Sequence, residues 1–334
     1  MNQLIFDGSY LVGLQSAKVF LEISENAKEK TELQIRKVVI NAYGNVLLSE
    51  ESVAILERNK VTLEKNLNET KKIYENGLTE EEDVEQLEIT LASIESNLRN
   101  VKRLRDLSYK MLNITLGIDL NNDTKLTDTL QALTLENIVP SILTVDDDVT
   151  NTVDYRIASN DTRSKELLLK LEKSKALPSL SGFVTAGYNG NGNSFKFFQK
   201  QQQWFGSAAF GVSLNIPIFS SLQRSAATQR AEINLDKAKD DLTETEQQLK
   251  LQVASAKSDY QLSIEEYETS KKNLRLSERI EKKNQVKFFE GVASSFELRQ
   301  AQTQLYSAQQ EYLQAMLDVV NKKAELETIL NQTN

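Results

Sequence analysis

The residue types that carry out most enzyme chemistry are missing from this sequence. Its 334 residues include no His and no Cys, which excludes imidazole acid/base catalysis, thiol nucleophiles, the usual zinc sites and a disulfide framework. Two sets of residues could still suggest a site. The run Asp146–Asp148 could bind a cation, and a set of tyrosines could bind a ligand. The tyrosines are Tyr43, Tyr260, Tyr267 and Tyr312. The run lacks the Gly and Glu of a calcium loop. We interpret it as a solvated linker and the tyrosines as packing residues, so no enzyme, cofactor or metal is expected.

Charge and hydropathy restrict the partners. Asp and Glu number 48 against 40 Lys and Arg, a net charge of −8, so no basic excess is available for nucleic acid. No run of apolar residues is long enough for a transmembrane helix. The first residues, Met1 to Gly8, lack the basic and apolar regions of a secretory signal.

The positions of helix-breaking residues divide the chain. The three prolines are Pro140, Pro178 and Pro217, so two long arms contain none. Six of the twelve glycines fall within thirty residues between Gly182 and Gly211. This distribution predicts a mainly α protein with a small β part, in which a Gly-rich centre separates two helical arms.

Both arms carry heptads, and they are copies of each other. Apolar residues recur in alternating steps of three and four, which is typical of a coiled coil. In the first arm they are Val46, Val53, Leu56, Leu63, Leu67, Tyr74, Val84, Leu87, Leu91, Ile94, Leu98 and Val101; in the last arm they are Leu298, Ala301, Leu305, Ala308, Tyr312, Ala315, Val319, Leu326 and Ile329. A shift of 214 residues aligns the two arms without a gap from about residue 42 to 117 and places Gly77 on Gly291. Each copy is predicted to be a helical hairpin.

The hairpin boundaries follow from these glycines. We predict first helices over 9–75 and 222–289, ended by Gly77 and Gly291 in the left-handed conformation. Thr79 with Glu82 is predicted to cap the first return helix as a capping box, and Ser294 or Ser295 the second. Gly44 lies in mid-helix, where it costs about 1 kcal/mol relative to Ala, and close packing is the only explanation that the sequence offers.

The centre has the period-two pattern of β-strands. One face of the later strand is apolar: Trp204, Gly206, Ala208, Phe210, Val212, Leu214 and Ile216. The preceding strand has a matching set: Leu180, Gly182, Val184, Ala186 and Tyr188. A polar loop over 189–203 joins them. Strands of this length with aromatic ends suit a membrane β-barrel.

These features together resemble the outer-membrane efflux protein (TolC-like) family. The resemblance rests on Leu177-Pro178-Ser179-Leu180, the two strands, Leu214-Asn215-Ile216-Pro217-Ile218-Phe219, the duplicated Ile5-Phe6-Asp7-Gly8 and the paired hairpin tips. It covers essentially the whole chain. It implies a homotrimer in which strands of every protomer form one outer-membrane barrel in contact with lipid, while long helices form a tunnel in the periplasm. It also implies a periplasmic adaptor and an inner-membrane transporter as partners.

The resemblance assigns a segment of the chain to each part of such a channel. It implies the end of a barrel strand at 1–8, a first hairpin repeat at 9–117, an equatorial linker at 118–150, a helix at 151–177, two barrel strands with an extracellular loop at 178–217, and a second hairpin repeat at 218–334. The family has a signal peptide, a helix pair and a first strand before the position that matches Met1. The expectation is therefore an N-terminally truncated chain.

The resemblance also implies site residues. It implies that the adaptor docks at the hairpin tips, which are Asn76, Gly77, Leu78, Glu290, Gly291 and Val292. The pore gate falls on Glu297, Gln300 and Asp83, and three Glu297 side chains would surround one axis. The membrane strands present Tyr188, Trp204, Phe210, Val212, Leu214 and Ile216. Each position has a simpler interpretation as a turn glycine, a solvated acid or a packing residue.

Three functions compete. The first is a passive export duct of a tripartite efflux pump or type I secretion system. The second is a soluble coiled-coil scaffold, which the heptads alone would support but which has no use for alternating strands. The third is the adaptor of such a pump, which should have one hairpin and not two. We expect the duct.

Overall fold

The computed structural model describes residues 1–145, 148–191 and 203–332. Within them the chain forms six α-helices, one short 3₁₀ helix and three strands. The helices are α1 (Gly8–Glu75), α2 (Glu81–Thr115), α3 (Leu130–Glu136), α4 (Val153–Ser174), α5 (Gln223–Phe289) and α6 (Ser295–Leu330); the strands are β1 (Asn2–Phe6), β2 (Ser179–Gly190) and β3 (Trp204–Asn215). The prediction of a mainly α fold with a small β part is confirmed.

None of the helices in the described ranges combines the length and the apolar character needed to cross a membrane.

The two long helices end and restart at corresponding positions. Helix α1 ends at Glu75 and α2 begins at Glu81, while α5 ends at Phe289 and α6 begins at Ser295. Each pair of positions is separated by the 214 residues of the sequence repeat. The duplication seen in the sequence is therefore also a duplication of helix ends.

One compact unit, which we call the hairpin unit, comprises Lys30–Thr152 and Leu249–Asn334. The predicted heptad residues supply much of its core: Val46, Val53, Leu63, Val84, Leu87, Ile94, Leu98, Leu298, Ala301, Leu305, Ala308, Ala315, Val319 and Leu326 are buried. Tyr74, at the tip end of the first arm, is 40% exposed. The 3.5-residue period thus marks the helix faces that pack together.

Within the hairpin unit, the segment between α2 and α4 packs against the long helices through polar contacts as well as apolar ones. Thr129 caps α3 by accepting a 3.2 Å bond from the backbone N of Ala132. Buried Thr134 donates to the backbone oxygen of Met316 at 3.2 Å. A 3₁₀ helix, Pro140–Thr144, follows, because proline suits a helix start.

The other compact unit, the sheet unit, comprises Met1–Glu29 and Val153–Gln248. Its helices bury Val19, Leu167 and Leu235, and α4 is tied to α1 by an ion pair of 2.5 Å between Arg156 and Glu29. The sheet is antiparallel with the strand order β1-β2-β3. Two of its strands are the pair that the alternating pattern predicts.

Candidate functional site

The tips of the two hairpins have the same backbone structure. Gly77 and Gly291 both have φ of +73°, in the left-handed region that favours glycine. Gly77 N–H donates to the Tyr74 carbonyl at 2.8 Å and Leu78 N–H to the Ile73 carbonyl at 3.1 Å. The second tip repeats both bonds, from Gly291 to Phe288 and from Val292 to Lys287. These paired bonds are a Schellman motif, and the left-handed glycines predicted at the helix ends are confirmed.

Both tips project an apolar side chain into solvent. Leu78 is 78% exposed and Val292 is 72% exposed. The preceding residues, Asn76 and Glu290, are also exposed, and the Asn76 amide donates to the Lys72 carbonyl at 2.6 Å. In a Schellman motif the residue after the glycine commonly packs back on its own helix. Here both side chains remain available to another surface.

The return helices begin differently. At α6 the Ser294 hydroxyl accepts from Glu297 N, and the Glu297 carboxylate accepts from Ser294 N at 2.9 Å, which completes a capping box. At α2 the prediction is wrong. Its N-cap is Glu80, which makes no side-chain cap bond, and Thr79 instead donates to the Asp83 carboxylate. Because the helix starts one residue later than predicted, Glu82 is not at the third position.

The three predicted gate residues lie near the tips but do not bond to one another in the part of the chain that the structure describes. Glu297 and Gln300 are exposed on α6, and Asp83 is half-buried on α2. The contact that joins the two return helices here is a hydrogen bond from Arg299 to Gln86. The Glu297 carboxylate has a local role as a helix cap, and any role at a pore is additional to it.

Polar side chains cross the interior of the hairpin unit toward its tips. Asn59 donates to Gln309 at 2.8 Å and Gln285 donates to Asn66 at 2.9 Å. Asn66 and Gln302 are 0% and 2% exposed. These layers connect α1 with α5 and α6, and hydrophobic periodicity did not identify them because their residues are polar.

A carboxyl group belongs to the same polar region. Burial raises the pKa of Glu281, and a hydrogen bond with Gln302 lowers it by less. Burial, and then the charge of Glu281, also raises the pKa of Tyr306. Desolvation favours the neutral form of an acid, which is why both pKa values are raised.

The four tyrosines act in packing, as the sequence predicts. Tyr260 and Tyr267 are fully buried, and Tyr267 stacks on Tyr312 with 5.8 Å between ring centroids. The Tyr260 hydroxyl donates to the Asn137 carbonyl at 2.6 Å and accepts from Val139 N at 2.8 Å. Tyr43 donates to Asp128 at 2.5 Å, and burial raises the pKa of Tyr43 to about 12.

Part of the acidic run lies outside the described residues, namely Asp146 and Asp147. Asp148 is exposed. Its carboxylate accepts two hydrogen bonds from Thr150, one from the Thr150 backbone N at 2.9 Å and one from the Thr150 hydroxyl at 2.7 Å. These bonds lower the pKa of Asp148. Its local turn fits the interpretation as a solvated linker.

The register of the sheet brings the two predicted apolar sets to one face. Leu180 lies opposite Leu214, Val184 opposite Phe210, and Tyr188 opposite Gly206. The side chains on this face are largely exposed, with Phe210 at 89% and Tyr188 at 78%. Val212 is 67% exposed and Trp204, at the loop end of β3, is 54% exposed. Apolar residues of two strands therefore form one uncovered surface.

Two details of the strand prediction differ from the structure. Ile216 lies one residue beyond the end of β3, immediately before Pro217, which has no N–H to donate to the ladder. The loop predicted over 189–203 begins inside β2, which extends to Gly190. The rest of that loop, 192–202, lies outside the described residues.

Comparison with known proteins agrees with this architecture of two helical hairpins and a small antiparallel sheet. The outer membrane efflux protein family profile matches residues 163–332, slightly more than half of the chain. The chain therefore belongs to the outer membrane efflux protein family. No curated protein sequence matches it significantly.

Solved structures agree with the family assignment at the level of the fold. The outer membrane protein VceC of Vibrio cholerae has 16% sequence identity and a TM-score of 0.79, with 99% of this chain and 78% of that chain covered. The outer-membrane channel OprN has 15% identity and a TM-score of 0.80, with 99% and 74% covered. The MtrE outer membrane channel of Neisseria gonorrhoeae, in its open state, has 18% identity and a TM-score of 0.73, with 97% and 71% covered.

Proposed function

We propose that the chain is one subunit of a homotrimeric outer-membrane channel, a passive export duct that reaches from the outer membrane into the periplasm. Membership of the outer membrane efflux protein family supports this function, and a soluble scaffold is not supported. The single observation that carries the proposal is the combination of an exposed apolar sheet face with two equivalent hairpins in one chain. Substrate moves through the duct, and energy comes from an inner-membrane transporter.

The sheet supports a membrane role through its faces and its edges. Its apolar face carries Phe210, Val212 and Leu214, and aromatic Tyr188 and Trp204 lie near the loop end. Within the described residues, the outer edges of β1 and β3 have no strand partner. In lipid, open edges leave backbone groups unsatisfied, so strands from further copies would complete a barrel.

The tips support a docking role for a periplasmic adaptor. Leu78 and Val292 are exposed apolar side chains on hydrogen-bonded turns, and burying such side chains against a partner is favourable. Glu297, with Gln300 and Asp83, is proposed to line the entrance near these tips. Because Glu297 already caps α6, its carboxylate is held in a fixed position.

Two measurements test the proposed function. The purified full chain, reconstituted in a planar lipid bilayer, is expected to conduct ions and to have the mass of a trimer by native mass spectrometry. A soluble monomer without conductance would overturn the proposal. A variant with both Leu78→Asp and Val292→Asp is expected to keep the conductance but to lose adaptor binding, whereas Leu120→Asp, an exposed control far from both tips in sequence, is expected to keep both.

A further inference from the structure

Helices α2 and α5 have bonded neighbours in the hairpin unit but are not bonded to each other in the described structure. Helix α1 bonds to α6 through Asn59 and Gln309, and to α5 through Asn66 and Gln285. Helix α6 bonds to α2 through Arg299. Within the described ranges no hydrogen bond or ion pair joins α2 to α5. Each of these two helices also exposes charged residues near its tip, and we call this exposed side its uncovered face.

The uncovered face of α2 is acidic near the tip. Glu81 and Glu85 are exposed, and neither forms an ion pair within the part of the chain that is described. They follow each other at a spacing of four, so they share one face of the helix. In the second repeat the equivalent positions hold Ser295 and Arg299. The fold itself thus does not require acids there.

The uncovered face of α5 is basic near its tip. Arg279, Lys283 and Lys287 also recur at a spacing of four and are exposed, and no ion pair in the described structure includes them. Val286, beside them, is 49% exposed. The first repeat has Lys65, Glu69 and Ile73 at the equivalent positions, so it does not carry this run of like charge.

The two charged faces lie at matching distances from their glycines. Glu81 comes four residues after Gly77, and Lys287 comes four before Gly291. Glu85 and Lys283 are eight residues from the same glycines. At about 1.5 Å per residue these pairs lie roughly 6 and 12 Å from the tips. If α2 of one chain lay beside α5 of another with Gly77 and Gly291 at the same level, Glu81 would face Lys287 and Glu85 would face Lys283.

We infer that the Glu81–Glu85 face of α2 in one protomer docks on the Lys283–Lys287 face of α5 in a second copy of this chain. The contact uses different surfaces on the two copies, and a head-to-tail contact of this kind closes into a ring when its rotation allows. The inference rests on the proposed homotrimer and adds to it the surfaces that meet near the entrance. Since the pairs are solvent-exposed, this contact weakens with salt.

Cross-linking tests the contact directly, because the chain has no Cys of its own. A variant with Glu82→Cys and Val286→Cys places one thiol beside each charged face, five residues from Gly77 and from Gly291. A short bismaleimide linker is expected to produce covalent dimers and trimers. Raising the salt from about 0.1 M to about 1 M is expected to reduce their yield, because the screening length falls from about 10 to about 3 Å.

Charge reversal in the same two-cysteine background makes the test specific. Lys283→Glu with Lys287→Glu is expected to lower the cross-linked yield about five-fold, since two attractive pairs become repulsive. Adding Glu81→Lys and Glu85→Lys is expected to restore the yield to within about two-fold of the original. The control is Lys110→Glu with Lys237→Glu, which makes the same charge change at exposed positions away from the tips and should leave the yield unchanged.

The outcomes separate this inference from the proposed function. A chain that forms no trimer at all overturns the proposed function. A trimer that forms no cross-link, or one whose cross-linked yield is unchanged by both charge reversals, overturns the α2–α5 contact. The proposed channel function would then still stand. Equal helix content by circular dichroism in all variants shows that the reversals act at the surface and not on folding.

Discussion

Gly44 of α1 lies directly against Leu317 of α6: a Cβ atom added to Gly44 would be 2.6 Å from the Leu317 Cδ1 methyl. Leu317 is 3% exposed, so its side chain has little room to move. The two helices thus approach as closely as they do because residue 44 has no side chain. The sequence offered close packing as the only explanation for this mid-helix glycine. The structure confirms that the two helices pack closely at Gly44.

Replacing Gly44 with Ala is expected to lower the free energy of unfolding by about 1 kcal/mol, because the clash outweighs the gain in helix propensity. Gly13, in the same helix, is the matched control, since a Cβ there meets nothing within 4 Å. Gly13→Ala is expected to stabilise the protein by up to about 1 kcal/mol. Chemical denaturation followed by circular dichroism measures both variants, and equal stabilisation by the two alanines would contradict the packing argument.

The sheet contains a comparable pair, Phe183 on β2 opposite Gly211 on β3. A Cβ on Gly211 would lie 2.7 Å from Phe183 Cζ, so the ring covers the glycine. Gly211→Ala is expected to displace the ring and to destabilise the sheet by about 1–2 kcal/mol. At Gly187 a Cβ meets nothing within 4 Å, so Gly187→Ala should have little effect. Thermal unfolding in detergent compares them, and a harmless Gly211→Ala would show that Phe183 moves freely.

The cap of α6 predicts a local effect of Ser294. Its hydroxyl accepts from Glu297 N, and Glu297 accepts in return from Ser294 N. Ser294→Ala is expected to cost about 1 kcal/mol at the start of α6. Amide hydrogen exchange should rise in the first turn of α6. Thr79→Ala, near the start of α2 where no side chain caps the helix, should leave amide exchange there nearly unchanged, and a similar rise in both variants would contradict the difference between the caps.

The sequence allowed prediction of the features that depend on local chemistry. Gly77 and Gly291 fixed the hairpin ends, and alternation identified the apolar face of Phe210 and Leu214. The interior face of α5 was not predictable in this way. Its buried positions step by three and four from Leu249 to Ser270. Ser263, Ser270 and Ser277 on this face are polar, so a search for hydrophobic residues loses the pattern in the half of the face toward the tip. Which helix neighbours supply their partners depends on tertiary packing.

Tyr260 offers a test of how the segment after α3 is held. Its hydroxyl bridges the Asn137 carbonyl and Val139 N. Tyr260→Phe leaves both backbone groups without this partner, and we expect a loss of about 1–3 kcal/mol in the free energy of unfolding. Tyr10→Phe is the control, because Tyr10 is 62% exposed. Denaturant titration distinguishes the two, and an unchanged midpoint for Tyr260→Phe would mean that the bridge contributes nothing.

Glu281 leads to a prediction about pH. Because burial raises its pKa in the folded protein above the ordinary value of 4.5, folding favours the protonated form. Full stability is present below pH 4.5 and is lost as pH rises through the higher folded pKa. Glu281→Gln removes this charge, so the variant is expected to be more stable than the native chain at pH 8 and equal to it near pH 4. Glu278→Gln, on the exposed side of the same helix, is the control and should not alter the pH dependence. Chemical denaturation at pH 4 and pH 8 measures the free energy of unfolding of each variant. If Glu281→Gln raised this free energy equally at both pH values, protonation of Glu281 would be ruled out as the cause.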